Sequence, residues 1–258
     1  MGMKKAAFSV AAILLVGSIS LQAETKSSFT DRAYSSVIKL AEKGDRNALF
    51  ALGEMNYLGI GMKKDYKKAL YYFIEAADKG HVKAQFNLGH MYYEGMGAPK
   101  DFKKAMYWFQ KAADQGDPKS MLYLGQMYYN NEGVAKSDRN IDKALYWLTQ
   151  ASKADYPQAN FMLGEMFYEG KGVKTDLKKA RDFFEKAADQ GHADAQFFLG
   201  QMYLTGKGVH KDMKKAKRWM QEAYMNGNKD AKKVLDTYGW EVVIKKETLP
   251  GYEESHSG

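Results

Sequence analysis

Apolar residues recur along this chain at helical spacing, and the same arrangement of them returns about every 36 residues. In the first full copy Ala48, Leu52 and Met55 fall at i, i+4 and i+7, one face of a helix predicted over about 48–58. A second helix is predicted to begin at Asp65, with Ala69, Tyr72, Phe73 and Ala76 on its buried face. The next copy repeats that face as Ala105, Trp108, Phe109 and Ala112. Only residues 241–245 alternate apolar and polar positions in the manner of a strand. The pattern therefore predicts an all-α chain built from hairpins of a helix A and a helix B.

Fixed markers locate the copies. Leu-Gly recurs as Leu52-Gly53, Leu88-Gly89, Leu124-Gly125, Leu163-Gly164 and Leu199-Gly200, at steps of 36, 36, 39 and 36 residues. The 39-residue copy carries its extra residues in the loop 133–140, where an insertion disturbs no helix. A glycine inside helix A costs about 1 kcal/mol against alanine, so its repetition predicts close approach of a neighbouring helix. Paired glycines follow each helix A, and Asn131 stands for the first of them in the third copy, which predicts a left-handed helix terminus at that slot. Asp65, Asp101, Asn140, Asp176 and Asp212 are predicted N-caps of helix B. Gly80, Gly116, Gly191 and Gly227 are its predicted ends, with Asp155 as the exception.

Hairpins of this size cannot bury their apolar faces alone, so stacking is required to make a continuous core. Full copies are read at about 48–83, 84–119, 120–158, 159–194 and 195–230. Half-repeats at 33–47 and 231–238 close the ends of a 33–238 repeat domain. In the last half-repeat Asp236 replaces the glycine, as expected where no further helix approaches.

The ordered string of Ala, Leu-Gly, Met-Tyr, Gly-x-Gly, Asp, Lys-Ala, aromatic pair, Ala-Ala and Gly resembles the Sel-one-like repeat family, a relative of the tetratricopeptide repeats. The resemblance covers nearly the whole chain after the leader. It implies a right-handed α/α superhelical solenoid, used as an adaptor for protein partners and often found in bacterial envelope and host-contact proteins. A related branch, the Helicobacter cysteine-rich proteins, has a disulfide in each repeat and an affinity for penicillins. This chain has no cysteine, which separates it from that branch.

By analogy with the family, helix A lines the concave side. Its residues outside the core stripe form a second row: Phe50-Glu54-Tyr57, Phe86-His90-Tyr93, Leu122-Gln126-Tyr129, Phe161-Glu165-Tyr168 and Phe197-Gln201-Leu204. Two readings stay open. The row is a groove for a protein partner in which the central polar residue tunes specificity, or the aromatics pack between repeats. Packing accounts for a periodic aromatic stripe; it accounts less well for the variable polar slot.

Charge changes this picture little. The formal net charge is +8, and removing Lys4 and Lys5 with a leader takes it to +6. Lys67-Lys68, Lys103-Lys104, Lys178-Lys179 and Lys214-Lys215 form a basic stripe on helix B, read as a solvated face. Arginine is sparse, so nucleic acid is not an expected partner. A salt-sensitive contact with acidic glycans or lipids is the version of this stripe worth testing.

Residues 1–23 have a positive n-region, an apolar stretch and a small residue at Ala23, the layout of a cleaved secretory leader. The expected product starts near Glu24, runs through a 24–32 linker, and is periplasmic or secreted, with a 239–258 tail beyond the repeats. It is expected to act as a monomer.

Catalytic constellations are scarce. Cysteine chemistry is excluded. Ser36-Val37-Ile38-Lys39 matches an S-x-x-K motif, but its partners would be Ser137-Asp138-Arg139 and Lys174-Thr175-Asp176, both poor matches in loops. His81 and His192 share a repeat slot, in copies far apart and with no carboxylate cluster around either, and read as turn residues rather than metal ligands. No catalytic, cofactor or metal residues are assigned, and no cofactor is expected. The alternative function is a penicillin-binding, β-lactam-hydrolysing or peptidoglycan-associated activity.

Overall fold

The computed structural model describes residues 34–135 and 140–242. Residues 1–33, 136–139 and 243–258, which include the expected leader and linker and most of the expected tail, lie outside the described residues. The first helical stretch, α1, covers residues 34–42. It is followed by α2 (Arg46–Leu58), α3 (Tyr66–Asp78), α4 (Val82–Glu94), α5 (Phe102–Ala113), α6 (Pro118–Asn130) and α7 (Ile141–Lys153). Next come α8 (Pro157–Glu169), α9 (Leu177–Ala188), α10 (Ala193–Thr205), α11 (Met213–Met225) and α12 (Lys229–Thr237). The chain divides between Ala154 and Asp155 into two compact units, the first with α1–α7 and the second with α8–α12. No strand occurs among the described residues, and residues 241 and 242 are not extended into one.

In the first unit α2 packs on α3, α4 on α5 and α6 on α7, and α3 and α5 each pack on the helix A that follows. The second unit repeats this with α8 on α9, α10 on α11, α9 on α10 and α11 on α12. These are the stacked hairpins of an all-α solenoid.

The predicted caps of helix B are present. Asp65, Asp101, Asn140, Asp176 and Asp212 each accept a backbone N–H of the first turn. Helix A begins two residues earlier than the apolar periodicity indicates, because its own caps are polar. Asp45 accepts from the N–H groups of Asn47 and Ala48 at 2.9 Å. His81 and His192 do the same work with Nδ1, accepting from Ala84 and Ala195 at 3.2 and 3.3 Å. The histidines are thus N-caps, not loose turn residues. At the other ends, Asn131 (φ 58°) and Asp155 (φ 54°) adopt the left-handed conformation that glycine holds in the other repeats.

The helix A glycine is explained inside its own hairpin. A Cβ on Gly53 would lie 2.5 Å from the Phe73 ring, and one on Gly164 would lie 2.5 Å from Phe184. Leu148 and Met220 fill the same space over Gly125 and Gly200. Small residue and large residue are one device.

The aromatic pair therefore divides. Phe73, Phe109 and Phe184 are fully buried. Tyr72, Trp108, Trp147 and Phe183 are only half-buried, and in this slot Trp219 alone is buried. The sequence pattern placed both members on the core face. One residue is about 100° of helix, so only the second points at the glycine.

Repeats are also tied by buried amides. Gln85 Nε2 donates to the Ala77 carbonyl at 3.1 Å, and its Oε1 accepts from Gln115 at 2.7 Å. Gln196, the Ala188 carbonyl and Asn226 reproduce this in the second unit. At the C-terminal end Leu235 is buried in its expected slot, and Trp240 packs with Met220 and Leu235 and stacks on Tyr238.

Candidate functional site

The proposed row on helix A is present as one half-buried face in each unit. In the first unit it comprises Phe50, Glu54 and Tyr57 on α2, Phe86, His90 and Tyr93 on α4, and Leu122, Gln126 and Tyr129 on α6. In the second it comprises Phe161, Glu165 and Tyr168 on α8, and Phe197, Gln201 and Leu204 on α10. Leu122 and Phe161 are buried and present little surface; the other thirteen keep partial exposure.

The rings of this row do pack. Phe50 stacks on His81 at 4.2 Å, and Phe161 on His192 at 4.6 Å. Phe86 meets Phe109 and Tyr123 at 5.9 and 5.8 Å. The tyrosines reach into the loop of the next repeat. Tyr57 donates its hydroxyl to Met96 Sδ at 3.6 Å, Tyr93 to Glu132 at 3.0 Å, and Lys207 lies 3.8 Å over the Tyr168 ring. Burial, then the bond to Glu132, pushes the Tyr93 hydroxyl up to about 12. These contacts hold the ring edges in place and leave the polar centre of each triplet between fixed walls.

That centre is where the electrostatics depart from the ordinary. Burial raises the Glu54 carboxyl, opposed by Lys83. Burial lowers His90, opposed by Glu94. Burial, with Glu169 and Asp194 adding repulsion, pushes Glu165 up to about 7 against the pull of Lys171. A carboxyl whose folded pKa is raised binds more protons folded than unfolded. Its stabilising contribution is complete below about 4.5 and is lost as pH rises towards about 7. Glu165→Gln is therefore expected to flatten the fall in melting temperature between those values and to melt above wild type at pH 8. His192, lowered by burial, has the opposite sign, so the difference between variant and wild type isolates Glu165. A difference that does not change with pH would contradict the assignment.

The lysine stripe is less idle than its composition indicates. The lysine just before the helix B alanine leans over the aromatic that follows the helix A methionine. Lys104 is 5.2 Å from Tyr92, Lys143 5.3 Å from Tyr128, Lys179 5.1 Å from Phe167 and Lys215 5.0 Å from Tyr203. Each is worth about 0.5–1 kcal/mol at an exposed site. The first copy has Asn56 at the aromatic slot, and there Lys68 lies 3.9 Å from Asp65, as Lys104 and Lys179 lie 3.8 Å from Asp101 and Asp176. The recurrence of an aromatic at that slot was the available signal.

The pieces of the S-x-x-K match are only partly within the described residues. Ser36 and Lys39 lie in α1, Ser137-Asp138-Arg139 falls outside the described residues, and Asp176 is occupied in capping α9. Among the described residues no three metal-ligating side chains converge. A cavity of about 660 Å³ beside α9 and α11 is lined by Arg181, Tyr203, His210, Lys211, Asp212 and Lys215, among others. Arg181 is already paired with Asp182 and Glu185, and Lys215 with the Tyr203 ring.

No curated protein matches the chain. Similar solved structures include two that are more than 30% identical and each cover about four fifths of this chain. One is c5321, a protective antigen present in uropathogenic Escherichia coli strains displaying an SLR fold, at 33% identity and a TM-score of 0.73 over 80% of this chain. The other is a Sel1 repeat protein from Oxalobacter formigenes, at 34% identity and a TM-score of 0.72 over 81% of this chain. The chain spans only 43% and 59% of those two proteins. A putative sel1 repeat protein from Klebsiella pneumoniae subsp. pneumoniae, 23% identical with a TM-score of 0.50 over 80% of this chain and 99% of that one, shares the fold. The Sel1 repeat family model matches residues 46–81, 82–117, 118–156, 157–192 and 193–228. With five consecutive repeats filling most of its length, the chain belongs to the Sel1 repeat family.

Proposed function

We propose that this protein is an exported scaffold that binds a protein partner through the helix A faces. Sel1 repeats generally serve as protein-interaction scaffolds, and that general role is the starting point. The observation that carries the specific reading is the polar centre of the helix A triplets. Glu54, His90 and Gln126 occupy one structural slot in the first unit with three different chemistries, while the rings around them are held by contacts within and between repeats. A slot whose neighbours are fixed and whose own identity varies suits reading a ligand, not filling a core. The leader-like first 23 residues support placement outside the cytoplasm, as does the description of one solved relative as a protective antigen.

The test separates the slot from its walls. Affinity capture with the mature chain as bait, followed by mass spectrometry, provides the partner. Glu54→Ala combined with His90→Ala is then expected to weaken that partner about tenfold or more, with the melting temperature within a few degrees of wild type. Tyr93→Ala combined with Tyr129→Ala is expected to lower stability as well. Full partner affinity in the first variant would sink the groove reading and leave the row as packing.

A further inference from the structure

The largest exposed rings of the first unit are on helix B, not on helix A. Tyr71, Tyr107 and Tyr146 are 58%, 54% and 55% exposed. They occupy one slot, two residues after the alanine of Lys-Ala, in three consecutive repeats. Each lies two residues before the core residue Phe73, Phe109 or Leu148, about 200° around the helix, and so faces outward. Each is braced edge-to-face by its half-buried neighbour. The ring pairs are Tyr71–Tyr72 at 5.3 Å, Tyr107–Trp108 at 4.9 Å and Tyr146–Trp147 at 4.9 Å.

Folding does not require tyrosine there. In the second unit the same slot holds Asp182 and Arg218, and α9 and α11 form and pack as the others do. Every exposed large hydrophobic side chain on α3, α5 and α7 is a tyrosine; among the described residues no Leu, Ile, Met or Phe joins them. A row of braced rings with hydroxyl edges and no exposed aliphatic side chain on the same helices suits a polar ligand with flat C–H faces better than it suits a bilayer or an apolar helix. The charge around the row gives the sign of that ligand. Exposed Lys67 and Lys103 stand one turn before Tyr71 and Tyr107, and Lys111 lies 5.6 Å over the Tyr107 ring. The central helix α5 contains three lysines and no acidic residue; Glu75 and Asp142 are the acidic side chains within one turn of the outer tyrosines. None of the three helices contains arginine, the usual base- and phosphate-reading side chain.

We propose that the outer tyrosine row of α3, α5 and α7 is a binding platform for an acidic polysaccharide, with sugar rings stacked on Tyr71, Tyr107 and Tyr146 and uronate-type carboxylates met by Lys67, Lys103 and Lys111. This face is separate from the helix A faces, and either assignment survives failure of the other.

The test titrates the full mature chain with polygalacturonate, with neutral dextran as control, by calorimetry at low and physiological salt. Binding to polygalacturonate and none to dextran is expected, weakening as salt screens the lysines. Tyr71→Ala, Tyr107→Ala and Tyr146→Ala combined should lower affinity at least tenfold, and the corresponding Tyr→Phe combination should keep it within about twofold. Tryptophan emission offers a second readout in the unmutated fold: polygalacturonate should shift it in wild type, and less so in Trp108→Phe. No binding to polygalacturonate overturns the proposal. So does affinity that survives the alanine combination but is lost with Lys67→Ala and Lys103→Ala, which would mark a generic polycation. Equal or tighter tyrosine-dependent binding to poly-glutamate, single-stranded DNA or anionic vesicles would assign the row to those ligands instead.

Discussion

Replacing Gly97 with alanine is expected to destabilise the first unit by about 2–5 kcal/mol, a large part of the whole stability of an ordinary domain. Gly97 has φ 76°, where a side chain costs about 1–2 kcal/mol. The larger burden is its surroundings. A Cβ there would lie 2.4 Å from the Tyr66 carbonyl oxygen and 2.7 Å from its carbon, and backbone at a helix start cannot step aside as a side chain can. Overpacking of that kind adds about 1–3 kcal/mol. Gly116 is the control. It has a similar φ of 89° but open space around its missing Cβ, so Gly116→Ala should cost only the left-handed strain. Urea unfolding of the two variants measures the difference. Equal losses would show that the contact with Tyr66 does not limit how closely the repeats approach.

The same contact recurs at the second loop glycine. A Cβ at Gly133 would meet Phe102, and one at Gly208 would meet Leu177, each the first residue of the preceding helix B. The first glycine of the pair ends helix A; the second lets the loop rest on the neighbouring hairpin. Gly97→Ala should therefore loosen one interface more than the repeats beside it, and lower the denaturant sensitivity as well as the midpoint.

Phe109→Ala should cost about 3–5 kcal/mol, the usual range for emptying a fully buried aromatic site. Phe109 has no exposed surface, packs over Gly89, and stacks on Tyr123 of the next repeat at 4.8 Å. Gly89 cannot fill the space, because it has no side chain to move. Tyr107, two residues earlier in the same helix, faces outward and is 54% exposed. Tyr107→Ala should cost no more than its contacts with the Trp108 ring and the Lys111 ammonium, about 1–2.5 kcal/mol. Thermal unfolding of the pair checks both values. Similar losses at the two positions would contradict the inward and outward assignment.

Residue identities alone carried much of this protein. The repeat, its 36-residue period and the capping of helix B followed from side chains whose local preferences are strong: aspartate at an N-cap, glycine at positive φ, alanine where helices touch. Even the exceptions, Asn131 and Asp155, were legible, because few other residues tolerate a left-handed backbone. Helix A starts two residues before its first core residue, Ala48, because the cap Asp45 and the first-turn residues Arg46 and Asn47 are polar and carry no apolar periodicity. The candidate row on helix A was found from periodicity, but periodicity gives a direction and not an exposure. Leu122 and Phe161 fit the pattern as well as Phe86 does, yet they are buried.

Tertiary structure decided the remainder. It split the aromatic pair into a core residue and a half-buried one, because the position of the facing glycine picks out a single direction. It assigned the lysine before the helix B alanine to a ring on helix A in the four repeats that have an aromatic at the facing slot. It turned Tyr71, Tyr107 and Tyr146 outward, where the sequence offered only one more aromatic in a run of aromatics. Local preference fixes where a helix begins and ends; which of its faces meets water depends on residues one repeat away, and no local pattern contains them.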